Sequence, residues 1–309
     1  MMMQIKNSSL YSRFFKVIYI CIFCLTMLFS VFLFSLNASA ADNNPNTEAT
    51  TSADNKSNNS SVSGNTKEMV QLVDRVHEIG ARVFAFIDTP NTVLTQPDKQ
   101  DYLILYPMNE QLKFYMVANY LMYKNGEFAE YDRYNKEMET YLADALVQVE
   151  KDSDEWAYEY AKNKVEFLKD HKDLPHYFIG SGNQYGATYS YAMCYWEEQM
   201  WIRTKSISCQ EFFHGMQEII VADTPVTLFM GEDEQRPLAE RVARFLPRVN
   251  ANYTIIDSKE HELKGISPEF RGTISHLVMH GVNNRVDAYM ELFLRHPLSI
   301  RRYYRQFDY

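Results

Sequence analysis

From residue 62 onward, apolar and polar positions alternate with two different periods. Met69, Val73 and Val76 recur at helical spacing, which predicts a helix over 66–79. The short apolar run at 82–88 instead has the character of a buried parallel strand. By the same criteria, further strands are predicted at 102–106, 176–179, 225–230 and 252–256. Further helices are predicted at 111–123, over 131–170 as two helices, from a loop at 180–186 to about 201, at 238–245 and at 273–294.

The predicted elements fall into two series of alternating strands and helices, separated by the long polar stretch at 131–170. Strands and helices of these lengths, in alternation, form parallel sheets joined by right-handed crossovers. The sequence therefore predicts an α/β protein with two parallel sheets. In such folds, ligands bind beyond the carboxyl ends of the strands, often at a helix N-terminus.

A different pattern occupies the N-terminus. The 20 residues from Val17 to Leu36 carry no charge, follow three basic residues and precede small residues at 37–40. This pattern predicts that residues 1–40 are a signal peptide or, because about 20 apolar residues can span a bilayer, a membrane anchor. We expect this segment to export the protein or attach it to a membrane. Residues 41–60 lack apolar periodicity and are expected to be a disordered linker.

Composition and charge exclude several classes of protein. With 309 residues, 46% of them hydrophobic, the chain can build a large globular core. The net charge of -9, without a basic stripe, argues against nucleic acid as a partner. Of the four cysteines, Cys21 and Cys24 lie in the apolar run, and Cys194 and Cys209 are too few to hold a metal ion. We expect no metal and no other cofactor.

The first candidate site is the segment 61–66, immediately before the first predicted helix. Ser61, Ser63 and Thr66 place three hydroxyls beside Gly64 at a helix N-terminus. Backbone N–H groups, the helix dipole and hydroxyl donors together favour an anion such as a phosphate. The alternative is a serine-rich linker in which Thr66 only caps the helix.

The second candidate is a carboxylate and an imidazole 16 positions apart, Glu198 and His214. They belong to different elements and are able to meet at a strand end. Such a pair is suited to moving protons next to a carbonyl. The alternative is a solvated helix glutamate and a loop histidine with no shared role.

Two further segments hold candidate binding residues. The loop 180–186 has glycines in a G-x-G-x-x-x-G spacing, which is not the dinucleotide fingerprint, so Ser181 is a candidate for contacting a sugar. In the C-terminal run 296–304, Arg301 and Arg302 are suited to binding a phosphate or carboxylate. The alternative for this run is a tail packed across a subunit interface.

Taken together, these segments resemble the sugar isomerase (SIS) domain proteins, and among them the fructosamine 6-phosphate deglycases. The resemblance is carried by S-x-S-G-N-T at 61–66, by E-x-x-W followed by E-F-F-H-G at 198–215, by GEDEQRPLAERV at 231–242 and by HPLSIRRYY at 296–304. It covers residues 61–309. The targeting segment and its linker stand where a complete first SIS half has the elements that precede the S-x-S-G loop, so the resemblance implies a first half that is N-terminally truncated.

The resemblance implies a fold of two flavodoxin-like SIS halves, here a partial first half at 61–130, a helical connector at 131–172 and a second half at 173–309. It implies that Ser61, Ser63 and Thr66 hold a sugar 6-phosphate. It also implies that Glu198 shuttles a proton between C1 and C2 of a ketosamine and that His214, supplied by a neighbouring subunit in related isomerases, opens the sugar ring. The implied partner is a phosphorylated sugar-amine, the implied state is a homodimer or higher homo-oligomer, and the resembled family is cytoplasmic.

Two other functions remain open at this point. A non-catalytic protein that binds sugar phosphates, or another chain, is consistent with a truncated first half whose sheet edge is exposed. An aldose–ketose isomerase, or an isomerase of the amidotransferase type, would use the same scaffold on a different substrate.

Overall fold

The computed structural model describes residues 31–34, 67–80, 82–87, 91–100, 102–105, 110–303 and 306. The chain divides into two compact units, Met1–Ala118 and Asn119–Tyr309. Apart from Val31–Phe34, the predicted targeting segment and linker lie outside the described residues. In the described part of the chain, no helix combines the length and apolarity that a membrane span requires.

The first unit contains a sheet of three strands, β1 (Val31–Phe34), β2 (Arg82–Ile87) and β3 (Tyr102–Leu105), in that order. Helix α1, Lys67–Glu78, precedes β2 and confirms the helix predicted from its apolar spacing. Val73 and Val76 of this helix pack with buried residues of β2 and of the loop that follows it. These two valines are buried because they occupy one face of the helix.

The pairing of β1 differs from the predicted parallel arrangement. β2 and β3 are parallel as expected, with Phe84 opposite Tyr102, whereas β1 runs antiparallel to β2, with Val31 opposite Ala85. The four residues of β1 belong to the uncharged run at 17–36, where we expected a targeting segment outside the fold. An apolar strand at this edge satisfies the backbone hydrogen-bonding groups that β2 would otherwise expose.

Three helices follow β3 along the chain and precede the second series of strands, and the boundary between the two units falls within the first of them. Helix α2 is Glu110–Lys124, and the long polar stretch forms two helices, α3 (Tyr131–Asp152) and α4 (Asp154–Asp170), as predicted. Both pack against the last helix, α8, which runs from Pro268 to Leu294. Ser153 separates α3 from α4, and its buried hydroxyl donates to the carbonyl of Val149.

A parallel sheet of four strands lies in the second unit, in the order β5-β4-β6-β7. The strands are β4 (His176–Gly180), β5 (Thr204–Ser208), β6 (Val226–Met230) and β7 (Tyr253–Asp257). Every residue of β4 and β6 is buried, which is why their short apolar runs predicted them correctly. Strand β5 was not predicted, because its sequence TKSIS is mostly polar and lies at an edge of the sheet.

Helices connect these strands and bury the sheet. Helix α5 (Asn183–Ser190) follows β4 and continues as a π-helix over Tyr191–Glu197, so the predicted loop at 180–186 is shorter than expected. After β5 comes the short helix α6, Cys209–Phe212, and after β6 comes α7, Arg236–Val249. The last two predicted helices, α7 and α8, are both present and longer than their apolar patterns indicated.

An aromatic cluster fixes the π-helix on one face of this sheet. Trp196 and Phe178 are fully buried, with ring centroids 4.9 Å apart, and Phe178 stacks on Phe229 of β6. Burying a large aromatic side chain contributes roughly 1.5–3 kcal/mol, so this cluster strongly stabilises the position of the π-helix. The residues that follow the π-helix are thereby held at the amino ends of β4 and β5.

Candidate active site

A cavity of about 720 Å³ opens in the second unit at the amino ends of β4 and β5. We call it the Glu198 cavity. Its lining comes from the chain before β4, the end of the π-helix, the start of β5 and the C-terminal segment. The lining residues are Asp173, Pro175, Glu197, Glu198, Trp201, Ile202, Arg203, Thr204, Arg301, Arg302 and Tyr303.

Glu198 follows the π-helix directly, and the π-helix sets its direction. Its backbone N–H donates to the carbonyl of Met193 at 3.0 Å, and that of Met200 donates to Tyr195 at 3.0 Å, both five residues back. A π-turn inserts one residue relative to an α-helix, so every later side chain is rotated about the helix axis. The insertion therefore determines that Glu198 lines the cavity.

Among the described residues, the Glu198 carboxylate has one charged partner, Arg301. Oε1 accepts a hydrogen bond of 2.7 Å from Nε of Arg301, while Oε2 accepts none from the residues that the structure describes. The Glu198 side chain is 39% exposed and that of Arg301 is 21% exposed. A carboxylate tied at one oxygen and open at the other is suited to accept a proton from a bound molecule.

The turn after Glu198 has an unusual backbone. Trp201 has φ of 59°, in the left-handed region that non-glycine residues rarely adopt. Its ring lies 4.2 Å from the ring of His296, and the guanidinium of Arg302 lies 4.3 Å from its centroid. The imidazole of His296 also hydrogen-bonds through Nε2 to the carbonyl of Gln199 at 2.9 Å. The C-terminal segment therefore holds this turn in place.

Most other charged groups of the cavity are paired. Glu197 accepts a hydrogen bond from the Thr204 hydroxyl at 2.6 Å. Arg203 forms an ion pair with Asp173 at 2.7 Å. These contacts leave Glu198, with its open oxygen, as the best-placed base in the cavity.

A cysteine near Glu198 is unsuited to nucleophilic chemistry. Burial, reinforced by the negative charge of Glu198, raises the pKa of Cys194 to about 11. The thiolate is the nucleophilic form of cysteine, and at neutral pH this thiol is protonated. Covalent chemistry through Cys194 is therefore disfavoured, and acid–base chemistry through Glu198 is favoured.

The structure does not bring His214 to Glu198 within one chain. Glu198 lies at the amino end of β5, whereas the exposed His214 follows helix α6 beyond its carboxyl end. The five residues of β5 separate the two positions by roughly 17 Å, at about 3.3 Å per residue. The expectation that the two residues meet at one strand end is therefore not met inside a single chain.

The segment around His214 has a structural role as well. Ser208 caps helix α6 by accepting the N–H of Glu211 at 3.2 Å, and its hydroxyl donates to the Glu211 carboxylate at 2.9 Å. Phe212 is fully buried, and its ring lies 5.6 Å from that of Phe245 on α7. The E-F-F-H-G motif therefore anchors itself in the core and leaves His214 on the surface.

Ser181 lies away from the Glu198 cavity, at the carboxyl end of β4. It is 3% exposed, and its hydroxyl donates to the carbonyl of Gln235 at 3.4 Å. Beside it, Oδ2 of Asp233 accepts the N–H of Asn183 at 2.6 Å, at the N-terminus of α5. The loop after β4, where Ser181 was expected to contact a sugar, therefore binds the carboxylate of Asp233 from the same chain.

The motif GEDEQRP, which contains Asp233, forms ion pairs at this end of the sheet. Glu232 is paired with Arg271 of α8 at 2.8 Å, and both side chains are nearly buried. Arg236 makes two hydrogen bonds to the Asp257 carboxylate at the end of β7, at 2.8 and 2.5 Å. These pairs tie α7, α8 and β7 together, which gives the motif a structural explanation.

The predicted phosphate ligands Ser61, Ser63 and Thr66 lie outside the described residues. Within the part of the chain that is described, no group of three or more His, Cys, Asp or Glu side chains is placed to hold a metal ion.

Sequence reasoning missed a buried polar group between β4, β6 and α4. The hydroxyl of Thr227 lies 2.8 Å from Nε2 of His176 and 2.9 Å from the phenol oxygen of Tyr160. Burial lowers the pKa of His176 well below its usual value, and raises that of Tyr160 above its ordinary range, so both stay neutral at neutral pH. No local pattern signals this cluster, because its members come from three distant segments.

The pairing of Glu198 with Arg301 was also not predicted. Both residues had been identified as candidates, but for separate roles. They are 103 positions apart in the chain, and their contact depends on the C-terminal segment folding back over the end of the π-helix.

No protein-family model matches the chain. Among characterised proteins, fructosamine deglycase FrlB of Bacillus subtilis is 29% identical over 254 residues, which cover 81% of this chain and 76% of the relative.

Solved structures agree with this similarity. A Bacillus subtilis protein named as a phosphosugar isomerase has a TM-score of 0.67 at 27% identity, over 81% of this chain and 76% of its own. A Salmonella typhimurium protein of the same description has a TM-score of 0.70 at 26% identity, over 80% and 74% of the two chains. The C-terminal domain of glucosamine-fructose-6-phosphate aminotransferase from Francisella tularensis, at 11% identity and a TM-score of 0.58, shares the fold over 75% of this chain and 70% of its own. The chain therefore has the α/β fold of the sugar isomerase (SIS) domain proteins, and its resemblance to the fructosamine deglycases is confirmed.

Proposed function

We propose that this protein is a deglycase that splits a fructosamine 6-phosphate into an aldose 6-phosphate and a free amine. The observation that carries the proposal is the Glu198 carboxylate, which lines the cavity, is tied to Arg301 at one oxygen and accepts no hydrogen bond at the other from the described residues. The similarity to a fructosamine deglycase points to the same chemistry.

In the proposed reaction, Glu198 removes a proton from C1 of the open-chain ketosamine, and the C1–H electrons form a C1=C2 double bond as the C2 carbonyl oxygen takes up a proton. The enolamine then receives a proton at C2, and a C1=N double bond forms. Water adds to C1, the C1–N bond breaks with its electrons leaving on nitrogen, and the C1=O bond of the aldose forms as both protons of the water pass to nitrogen, so that the protonated amine departs. The net change is the consumption of one water, with no oxidant or reductant.

Ser61, Ser63 and Thr66 are the proposed ligands of the 6-phosphate, with Arg302 of the Glu198 cavity as a further candidate for binding the substrate. Ser181, buried at the carboxyl end of β4, is not among them. Binding the remote phosphate would orient C1 and C2 against Glu198. Substituting Ser63 by Ala should raise KM for the phosphorylated substrate while leaving the fold unchanged. An unaltered KM would remove this segment from the site.

His214 is the proposed ring-opening residue, and its position at the far end of β5 requires that it act in a second copy of the chain. This assigns a homodimer, or a larger homo-oligomer, as the active form. The test is complementation: mixing inactive Glu198→Gln and His214→Asn proteins, with subunit exchange, should restore part of the activity. If the mixture regains no activity although hetero-oligomers form, the two residues do not share a site.

The chemistry at C1 can be tested with a substrate that carries two deuterium atoms at that carbon. Proton abstraction by Glu198 predicts an aldose that retains one of them at C1, whereas direct displacement of the amine would retain both at C1 and give a ketose. Glu198→Gln should abolish release of the amine. Glu159→Gln, which changes an exposed glutamate on α4 paired with Lys162, is the matched control.

A second candidate is an aldose–ketose isomerase, since solved relatives at 26–27% identity are named as phosphosugar isomerases. The same proton transfer on a plain hexose phosphate would interconvert ketose and aldose. Turnover of a hexose phosphate without amine release would favour this function. Binding of both sugars without turnover would favour a non-catalytic sugar-phosphate-binding protein.

The N-terminal segment 1–40 is proposed to direct export or membrane attachment, which would withdraw Val31–Phe34 from its pairing with β2. Fractionation of cells that express the full chain tests this, and the N-terminal sequence of the mature protein distinguishes cleavage from anchoring. Recovery of the intact chain in the soluble cytoplasmic fraction would contradict both.

A further inference from the structure

Arg301 is held in one position by contacts on two sides. Its Nε donates to Oε1 of Glu198 at 2.7 Å. One of its terminal nitrogens donates to the carbonyls of Leu298 and Ile300, at 2.5 and 3.1 Å. A guanidinium is planar and rigid, so these bonds fix its orientation as well as its distance from the carboxylate. This arginine is already engaged, unlike a side chain that waits for a ligand.

The same segment also holds the turn that carries the chain away from Glu198. A left-handed conformation is unfavourable for a residue with a side chain, and Trp201 adopts it with φ of 59°. The contacts of His296 and Arg302 with the Trp201 ring offset that cost. Glu198 is therefore constrained by the π-helix on one side and by the C-terminal segment on the other.

Resting on the proposed function, we propose that Arg301 is a positioning residue for Glu198 and does not bind the substrate anion. It occupies Oε1 and leaves Oε2 as the oxygen available to a bound molecule. The C-terminal segment 296–303 is then part of the catalytic architecture, because it delivers the arginine. This assignment replaces the sequence-based expectation that Arg301 binds a phosphate or carboxylate.

A positioning role predicts a specific kinetic pattern. Arg301→Gln should lower kcat by roughly 10- to 100-fold, the size of effect that a misplaced catalytic group produces, while KM stays nearly constant. Arg301→Lys keeps the charge but loses the planar geometry and should recover only part of kcat. For Arg301→Gly, added guanidinium ion should restore activity in a saturable manner, which loss of a purely structural residue would not allow.

The chain contains a closely matched control. Arg285 also donates from Nε to a carboxylate oxygen at 2.7 Å, that of Asp154, on the surface of the same unit. Arg285→Gln and Arg285→Gly remove an equivalent contact between two residues that do not line the Glu198 cavity. They should leave kcat unchanged, and guanidinium should have no activating effect on them.

Two results would overturn the proposal. An increase in KM with an unchanged kcat in Arg301→Gln would make Arg301 a substrate-binding residue. Activity of that variant equal to wild type would give the residue no role in the reaction.

A measurement that needs no activity separates this proposal from the proposed function. If Arg301 and Glu198 interact as described, the Tm changes of Arg301→Gln and Glu198→Gln should be non-additive in the double variant. Non-additive Tm changes in a protein that releases no amine would contradict the deglycase assignment and still support the contact between Arg301 and Glu198. Additive changes would overturn the Arg301 proposal whatever the activity.

Discussion

The phenol of Tyr191 donates a hydrogen bond of 2.7 Å to Oδ1 of Asp287, and both side chains are buried. Tyr191 is the first residue of the π-helix that ends beside Glu198, and Asp287 lies on α8. The bond therefore connects the longest helix of the second unit to the segment that positions the candidate base. Burial raises the pKa of Asp287 to about 7, although the bond from Tyr191 opposes that rise.

The pKa of Asp287 predicts how stability depends on pH. Between its ordinary value of 3.8 and about 7, the folded state binds the proton more tightly than the unfolded state, so stability falls as pH rises through this window. Over this window, Asp287 lowers the free energy of unfolding by about 4 kcal/mol. Asp287→Asn should remove this dependence and be more stable than wild type at pH 8, as measured by urea unfolding at pH 5 and pH 8.

Asp154 provides the control for this prediction. It accepts a hydrogen bond of 2.8 Å from Tyr289, also on α8, but it lies at the surface. Asp154→Asn should keep the pH dependence of the wild type. If Asp287→Asn also kept it, Asp287 would not be the group that titrates.

Lys164 on α4 predicts the opposite dependence. Burial lowers its pKa to about 8, and its ammonium donates only to the amide oxygen of Asn252, at 3.2 Å, among the described side chains. Because the folded state binds the proton less tightly, stability is lost as pH falls from 10.5 to about 8. Lys164→Met should gain up to about 3 kcal/mol at pH 7, and the gain should shrink toward pH 10. Equal destabilisation at both pH values would contradict this explanation.

Replacing Gly182 by a residue with a side chain is predicted to lower the stability of the protein for two separate reasons. Its φ is 58°, and a Cβ there would lie 2.3–2.4 Å from the carboxylate oxygens of Asp233. Gly182→Ala should therefore destabilise the protein by more than the roughly 1 kcal/mol of a strained backbone alone. Gly126, with φ of 78° and nothing near its Cβ position, isolates the backbone contribution. Thermal unfolding of Gly182→Ala and Gly126→Ala compares the two losses of stability. Equal losses would show that the Asp233 side chain moves away from the added Cβ without cost.

Burial separates the strands β4 and β6, which the sequence predicted, from the strand β5, which it missed. β4 and β6 are apolar because both of their faces are buried, so a short hydrophobic run was sufficient evidence. β5 is recognisable only once β4 is in place, because its residues pair with β4 while Lys205 faces solvent. Local patterns report burial, and an edge strand has little of it.

In the candidate site, the sequence likewise predicted individual residues but not the contacts between them. Glu198 and Arg301 were both identified, through short motifs, but their contact depends on how far the C-terminal segment folds back. The π-helix left no pattern in the sequence, because an inserted residue changes which side chain faces the cavity without changing composition. The buried Asp287 was missed since its burial follows from tertiary packing around Tyr191.

The most direct test of the account is the reaction itself. The purified full-length protein is incubated with a fructosamine 6-phosphate, and the free amine and the aldose 6-phosphate are quantified over time for wild type and for Glu198→Gln. The account predicts that both products appear in equal amounts with wild type and that Glu198→Gln forms neither at a measurable rate. Release of amine at the same rate by Glu198→Gln, or none by a wild-type protein that binds the substrate, would contradict it.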